Sequence, residues 1–342
     1  MILVTGAAGF IGSNFVNSWF MDSEERLISY DNLTYAGNLE NLDSQKENKK
    51  HLFIEGDISD SIKLTGLFAE YKPRAVINFA AESHVDRSIN SPRVFFETNV
   101  MGTYYLLESS KSYWENLERN NKENFLFLHV STDEVYGSLK KGQTKFKESN
   151  QYQPNSPYSA SKASSDHIIR SYYKTFGFPA VTSNCSNNYG PFQFPEKLIP
   201  MTILNLLEKK KVPVYGDGKQ IRDWIHVGDH CKALKILLEK SEVGEVYNIG
   251  GNNEMENLEV VKMICHSMDE KIPRKKNLKY SELISFVQDR AGHDQRYAID
   301  SSKAKIELGW EAKKDFKTGI DETIQWYLDN PKWVKNIADR KS

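Results

Sequence analysis

Six short stretches in the first half of the chain, residues 2–5, 26–30, 51–56, 75–80, 125–131 and 180–184, are rich in β-branched and aromatic residues, and several are apolar at consecutive positions. Apolar side chains on both faces are what a parallel strand covered by helices requires. Between these stretches, residues 10–20, 61–71, 92–115 and 158–176 carry longer helical patterns. Strands alternating with helices predict an α/β fold built on a doubly wound parallel sheet. Beyond about residue 185 the rhythm changes to loops rich in Pro, Gly and Asn, with helices expected near 197–209, 228–239, 257–269, 281–286 and 316–329. This later part reads as a smaller mixed α/β C-terminal lobe over the carboxyl edge of the sheet. The expected division is 1–185 and 186–342, with some chain returning to the first unit.

Composition narrows the function. With 27% charged residues and a net charge of −1 over 342 residues, the chain has no basic footprint for nucleic acid or for an anionic membrane. No apolar run approaches the length that spans a bilayer, and residues 1–4 lack the basic leader of a signal peptide. Cys185, Cys231 and Cys265 lie far apart without a C-x-x-C pair, so neither disulfides nor a metal site is expected, and a reducing, cytoplasmic location fits.

The first helix is opened by VTGAAGFIG, which spaces Gly6, Gly9 and Gly12 directly after a strand. Glycines there permit a tight turn, close approach of backbone to a pyrophosphate, and close helix packing, the signature of a Rossmann-like dinucleotide site. Asp31, ending the second strand, is placed to accept the adenosine ribose hydroxyls. No Arg follows it in DNLTYAGN, so a 2′-phosphate would be repelled and NAD is expected over NADP. Asp57 in GDISD is expected near the adenine, while Asp60 reads equally as a helix N-cap.

Tyr158 and Lys162 in PYSASKAS stand four residues apart, on one helix face. An ammonium beside a phenol stabilises phenolate and is expected to lower the tyrosine pKa from about 10 towards working pH. Thr132 ends the fifth strand, where it can hydrogen-bond a substrate hydroxyl. Two adjacent carboxylates, Asp133 and Glu134, follow at once, where an unpaired charge is costly to desolvate. Read alone, they have a plain alternative: an N-cap followed by a first-turn partner of the helix dipole.

The segments TGAAGFIGSNF, YDNLTYAGNLENL, NFAAESHVDRSI, TNVMGT, VSTDEVYG, PYSASKASSD, NCSNNYGPFQFPEKLIP, VYGDGKQIRDWIHVGDH, YNIGG and DRAGHDQRYAID together resemble the extended short-chain dehydrogenase/reductases that act on nucleotide sugars, and among them the dTDP-sugar dehydratases. The glycine turn and Y-x-x-x-K mark only the superfamily. The T-D-E triplet, NNYGP with PEKLIP, and DRAGHD mark the branch. The resemblance implies an NAD-dependent hydro-lyase acting on dTDP-glucose, and a homodimer formed through helices 90–114 and 158–177. Tyr158, with Lys162 and Thr132, would take the O4 proton as hydride leaves C4. Glu134 would be the base at C5 and Asp133 the acid at the C6 hydroxyl, before hydride returns to C6. The 4-keto-6-deoxy product would feed deoxysugar synthesis, such as that of dTDP-rhamnose.

By the same resemblance, Phe10, Ile11, Asn32, Thr34, Ile58, Ala80, Ala81, Thr98 and Asn188 join the glycines, Asp31 and Asp57 as cofactor contacts. Ser83 and Asn187 fall to the sugar, and Arg222, Asn257, Arg290 and His293 to the diphosphate and nucleoside. Lys197, Leu198, Pro213, Val214 and Tyr215 would line the nucleotide pocket. His84 and His226 read as polar core or loop residues, and Tyr189 as a turn aromatic or a ring contact. A sugar 4-epimerase of this fold would use Tyr158 and NAD but has no use for an acid and a base at C6 and C5. A catalytically idle NAD-binding protein would have no reason to keep both acids. Successive strand side chains point to opposite faces. Both acids therefore reach one sugar only if the strand ends at Thr132, which predicts a turn into a short helix there.

Overall fold

The computed structural model describes residues 1–140, 142–290 and 292–339. Its strands are β1 (Ile2–Thr5), β2 (Leu27–Asp31), β3 (His51–Glu55), β4 (Ala75–Asn78), β5 (Leu126–Thr132), β6 (Ala180–Cys185), β7 (Asn187–Tyr189), β8 (Val212–Tyr215), β9 (Ile221–His226), β10 (Val246–Ile249), β11 (Glu254–Glu256) and β12 (Ile284–Val287). Seven of them form one parallel sheet in the order β10-β6-β5-β4-β1-β2-β3. The order runs outward in both directions from β1 and β4. At that switch point the carboxyl ends of the strands open the crevice in which such sheets bind ligands.

Consecutive apolar positions are explained by burial on both faces. Ile2 and Val4 enter one core layer while Leu3 enters the other, and Leu126, Leu128 and Val130 oppose Phe127 in the same way. Each such side chain contributes about 1.5–3 kcal/mol on burial. The polar residues that interrupt this pattern in β5, His129, Ser131 and Thr132, are buried too and so need partners.

The region expected as one helix over 92–115 is three segments, an α turn Pro92–Phe95, a π-helical stretch Phe96–Gly102 and an α-helix Thr103–Glu115. The wide π turn puts Thr98 on the crevice and buries Asn99, which bonds both backbone groups of Glu82 and the Ser161 hydroxyl. Periodicity alone does not show such a bulge. The helix expected over 281–286 is instead a 3-10 turn, Tyr280–Leu283, followed by β12, because β8 offers a parallel edge on which Ile284–Val287 pairs. Helices Ser302–Leu308 and Pro331–Asp339 lay outside the expectations.

The chain leaves the main sheet after β6 and returns to it. Helix Val227–Lys240 packs on the first helix, Phe10–Asp22, and β10 adds the edge beside β6. A separate core, containing Ile199, Ile203, Trp224, Ile264, Ile320 and Tyr327, holds the remainder over the carboxyl edge. Tyr189 is a member of it, packed against Trp224, His226 and Phe316, which makes it a turn aromatic of the core.

Candidate active site

The glycine turn is built for close approach. Gly6 has φ +64, and a Cβ there would lie 2.6 Å from the Ala80 nitrogen; at Gly12 it would lie 2.2 Å from the Gly6 carbonyl oxygen. Helix Phe10–Asp22 starts at Gly9 with no side-chain cap, so its first N–H groups face the crevice. Asp31 ends β2 in the same cavity, with Oδ2 accepting from the Ala8 N–H at 2.9 Å and Oδ1 from the Leu33 N–H at 2.8 Å. Asn32 donates to Asp57 at 2.6 Å across the adjoining strand ends. Asp60 caps helix Ser61–Tyr71, accepting from the Lys63 N–H, whereas Asp57 accepts from Ser59 and leaves the helix end alone. Phe10, Ile11, Thr34, Ile58, Ala80, Ala81, Thr98 and Asn188 line this cavity with Tyr158 and Lys162. A small-residue cradle, a carboxylate at the far strand and exposed helix N–H groups together fit a dinucleotide.

β5 stops at Thr132. Residues Asp133–Tyr136 turn at once into a 3-10 helix capped by Thr132, whose Oγ1 accepts from the Glu134 N–H at 3.3 Å. The cap is therefore Thr132 and not Asp133. Gly137 closes the turn at φ +86, in a space where a Cβ would meet the Gln153 carbonyl oxygen at 2.3 Å. Breaking the strand here gives the two acids different surroundings. Glu134 lines both the dinucleotide cavity and a second one beyond it. Asp133 lines neither. It is buried behind the junction, with Oδ1 3.5 Å from the Thr132 hydroxyl and Oδ2 without a hydrogen-bond partner among the described residues.

Burial holds the Asp133 carboxyl well above the usual carboxylate range, and the carboxylates of Glu134 and Asp223 push it further. Burial also raises Glu134, but Lys197, Arg222 and Arg290 pull it back. Asp133 is thus the better proton holder and Glu134 the better acceptor.

Tyr158 and Lys162 sit at the start of helix Pro157–Phe176, which opens with a Ser156/Ser159 capping box and Pro157 in its first turn. The Thr132 side chain faces the Tyr158 phenol and favours its charged form. The phenol pKa is not lowered as expected. Burial and the Glu134 charge raise it well above 10, while the Lys162 ammonium is directed to the Val130 carbonyl at 2.9 Å and to His129 Nε2 at 3.3 Å.

The second cavity gathers three cations, Arg222 buried and Lys197 and Arg290 half-buried. Lys197 donates to the Ser83 carbonyl at 2.7 Å. Arg222 donates to the carbonyls of Ile221 and Asp294 at 2.8 and 3.1 Å, with its guanidinium 4.4 Å over the Tyr297 ring. Arg290 stands 3.4 Å from Asp86 and 4.9 Å over Tyr215. Lys197 and Arg222 are each lowered chiefly by burial, and the Arg290 charge adds to both. Clustered cations of this kind favour a multiply charged anion. Asn187, Leu198, Val214, Tyr215, Asn257 and His293 line the same cavity. Ser83 lies on the dinucleotide side. Pro213 lines neither cavity, because on β8 it points opposite to Val214. His84 and His226 each cap a helix, accepting from the N–H groups of Arg87 and Gly228.

The family model described as GDP-mannose 4,6 dehydratase matches residues 3–323. The dTDP-glucose 4,6-dehydratase of Xanthomonas campestris pv. campestris is 54% identical over 338 residues, 98% of this chain and 95% of that one. The chain belongs to the dTDP-glucose 4,6-dehydratase family. A solved family member from Bacillus anthracis, in complex with NAD, superposes with a TM-score of 0.86 at 47% identity, covering 98% of this chain and 99% of that one. The Streptomyces venezuelae enzyme DesIV, solved with NAD and TYD bound, gives 0.90 at 40% identity with the same coverage. A UDP-glucose 4-epimerase from Thermotoga maritima gives 0.83 at 28% identity, covering 96% and 99%. Epimerases thus share the scaffold of this dehydratase family, and the two acids separate the readings.

Sequence reasoning missed Asn155, Asp294 and Tyr297, which line the second cavity of this family member. Asp294 takes the Asn155 amide at 2.6 Å and the Tyr297 hydroxyl, joining the turn before Tyr158 to the segment beneath Arg222. The motif DRAGHDQRYAID contains two of the three, but nothing in its spacing marks them as cavity residues.

Proposed function

We propose that the chain dehydrates dTDP-glucose to dTDP-4-keto-6-deoxyglucose, with NAD held along β1, β2 and the glycine turn and the nucleotide sugar held in the second cavity. The observation that carries this is the unequal environment of adjacent Asp133 and Glu134 at the junction of the two cavities. When bound, NAD accepts hydride from C4 and gives it back at C6. Tyr158, with Thr132 and Lys162 beside the same cavity, takes the O4 proton. Oxidation at C4 makes the C5 proton acidic, and Glu134 removes it. Asp133 supplies a proton to the C6 hydroxyl, which leaves as water. The step requires its side chain to move past Thr132, since here it lines neither cavity. Lys197, Arg222 and Arg290 neutralise the diphosphate, and their charges oppose the rise that burial imposes on the Glu134 carboxyl.

Two finer readings complete the proposal. Val94, Phe96, Met101, Tyr104 and Phe176 expose apolar side chains on the helices around 92–115 and 157–176, which supports a homodimer through those helices. The three cysteines are free and buried, which supports a reducing, cytoplasmic setting. Among the described residues no helix is long and apolar enough to cross a membrane.

A panel of nucleotide sugars tests the reading. dTDP-glucose should give a 4-keto product that absorbs in alkali, with no net release of reduced cofactor. Formation of dTDP-galactose alone would establish epimerisation instead.

A further inference from the structure

Behind Lys162 lies a buried polar chain that the proposed reaction does not use. His129, on β5, is wholly buried. Its Nε2 is within reach of both the Lys162 Nζ, at 3.3 Å, and the Asp166 Oδ1, at 3.4 Å. Asp166 lies four residues beyond Lys162 on the same helix face, and its Oδ2 accepts from the Ser131 hydroxyl at 2.9 Å. On the far side, His129 Nδ1 meets the Asn78 amide at 3.3 Å, and Asn78 is fixed by the Thr5 hydroxyl at 2.7 Å. A polar chain of this kind inside an apolar sheet is costly unless it serves something.

We propose that His129 and Asp166 are positioning residues for the oxidation step, holding the Lys162 ammonium charged beside the cavity that Tyr158 also lines. This rests on the roles given above to Tyr158 and Lys162. A lysine buried this deeply tends to shed its proton, and a neutral amine does not stabilise a phenolate. Asp166 is the carboxylate that opposes this. The imidazole ring stands between charge and counter-charge. Burial and the Lys162 charge keep it neutral down to about 4, so it stands beside both groups without adding a third charge. Around Lys162 the other titratable groups are Tyr158 on its own helix and Cys185 on β6, whose thiol burial pushes up to about 12 and so keeps neutral. Tyr152 faces Asp166, and Asp133 and Glu134 face Tyr158.

The test compares Asp166→Asn, His129→Leu and His129→Gln with wild type in two readouts. One is the phenolate ultraviolet difference titration of each protein against its own Tyr158→Phe variant. The other is the pH dependence of C4 oxidation in a single turnover. Asp166→Asn and His129→Leu should raise the Tyr158 titration by about one unit and slow oxidation near neutrality about tenfold. His129→Gln, which keeps a donor and an acceptor, should restore most of both. Removing the Asp166 charge with Lys162 still protonated would instead shift the phenol down or not at all, and that result overturns the proposal. Thermal melts identify any variant that is merely unfolded; Asp166→Asn is isosteric and carries the test if His129→Leu fails to fold. Should Lys162→Met and Tyr158→Phe leave oxidation intact, the underlying catalytic assignment fails. If they abolish it while the Asp166 and His129 variants match wild type, this inference alone fails.

Discussion

The Glu134 N–H donates to the Thr132 hydroxyl oxygen at 3.3 Å, so the residue that ends β5 also caps the turn that delivers the base. The same side chain acts on the Tyr158 phenol, favouring its charged form. Strand end, helix cap and oxidation site therefore meet in one side chain, which is how adjacent acids escape the alternation of a strand.

Glu134→Gln should stop the reaction after C4 oxidation. The variant binds dTDP-glucose, accumulates bound reduced nicotinamide and loses C5 proton exchange with solvent, and turnover falls about 10²–10⁴-fold. Stopped-flow absorbance and proton exchange by NMR measure the two effects. Unimpaired exchange would remove Glu134 as the base.

Asp133→Asn should slow turnover by a similar factor, but the loss depends on the leaving group. A 6-deoxy-6-fluoro analogue expels fluoride without protonation, so the variant and wild type should eliminate it at rates within about tenfold of each other. Equal impairment on both substrates would contradict an acid role. The high pKa of Asp133 also fixes a sign: the acid is competent below its folded pKa and is lost as pH rises through it, so turnover falls on the alkaline side.

Much of this was legible in the pattern. The first six strands follow from apolar runs, because burial on two faces leaves a direct imprint on composition. The halt at Thr132 was legible from geometry alone, since two adjacent acids cannot share a face of a continuing strand. The strongly raised Asp133 carboxyl was not legible, because besides burial it depends on Asp223 from β9, a strand that gives no apolar run. The raised Tyr158 phenol escaped too, as its burial and the facing Glu134 depend on how β5 ends against the start of the helix. The π-helical Phe96–Gly102 and the pairing of β12 on β8 depend on neighbours far along the chain, which local periodicity does not carry.

Gly12→Ala should weaken cofactor retention. The added Cβ would sit 2.2 Å from the Gly6 carbonyl oxygen, a backbone atom that cannot swing aside. Overpacking of this kind costs about 1–3 kcal/mol. The variant should melt earlier and co-purify with less NAD, read by calorimetry and by cofactor release on denaturation. Wild-type values in both would contradict the cradle.

His230 is buried, with Nδ1 2.9 Å from the Asn188 Oδ1, and burial pushes its pKa down to about 3. The unfolded chain binds this proton from about 6.5 downward while the folded one refuses it. Stability is therefore lost as pH falls through that window, by up to ~1.4 kcal/mol per unit. His230→Gln removes the dependence. In urea melts the variant should gain on wild type by roughly 2 kcal/mol between about pH 7 and pH 5. An unchanged difference would show that the histidine is protonated in the fold.

The central claim is that one hydride travels from C4 to C6 while C5 exchanges its proton at Glu134. Conversion of dTDP-glucose carrying deuterium at C4, followed by NMR of the product, tests it most directly. The account predicts deuterium at C6, solvent hydrogen at C5 and no label in free cofactor. Label lost to solvent, or retained at C4, would contradict it.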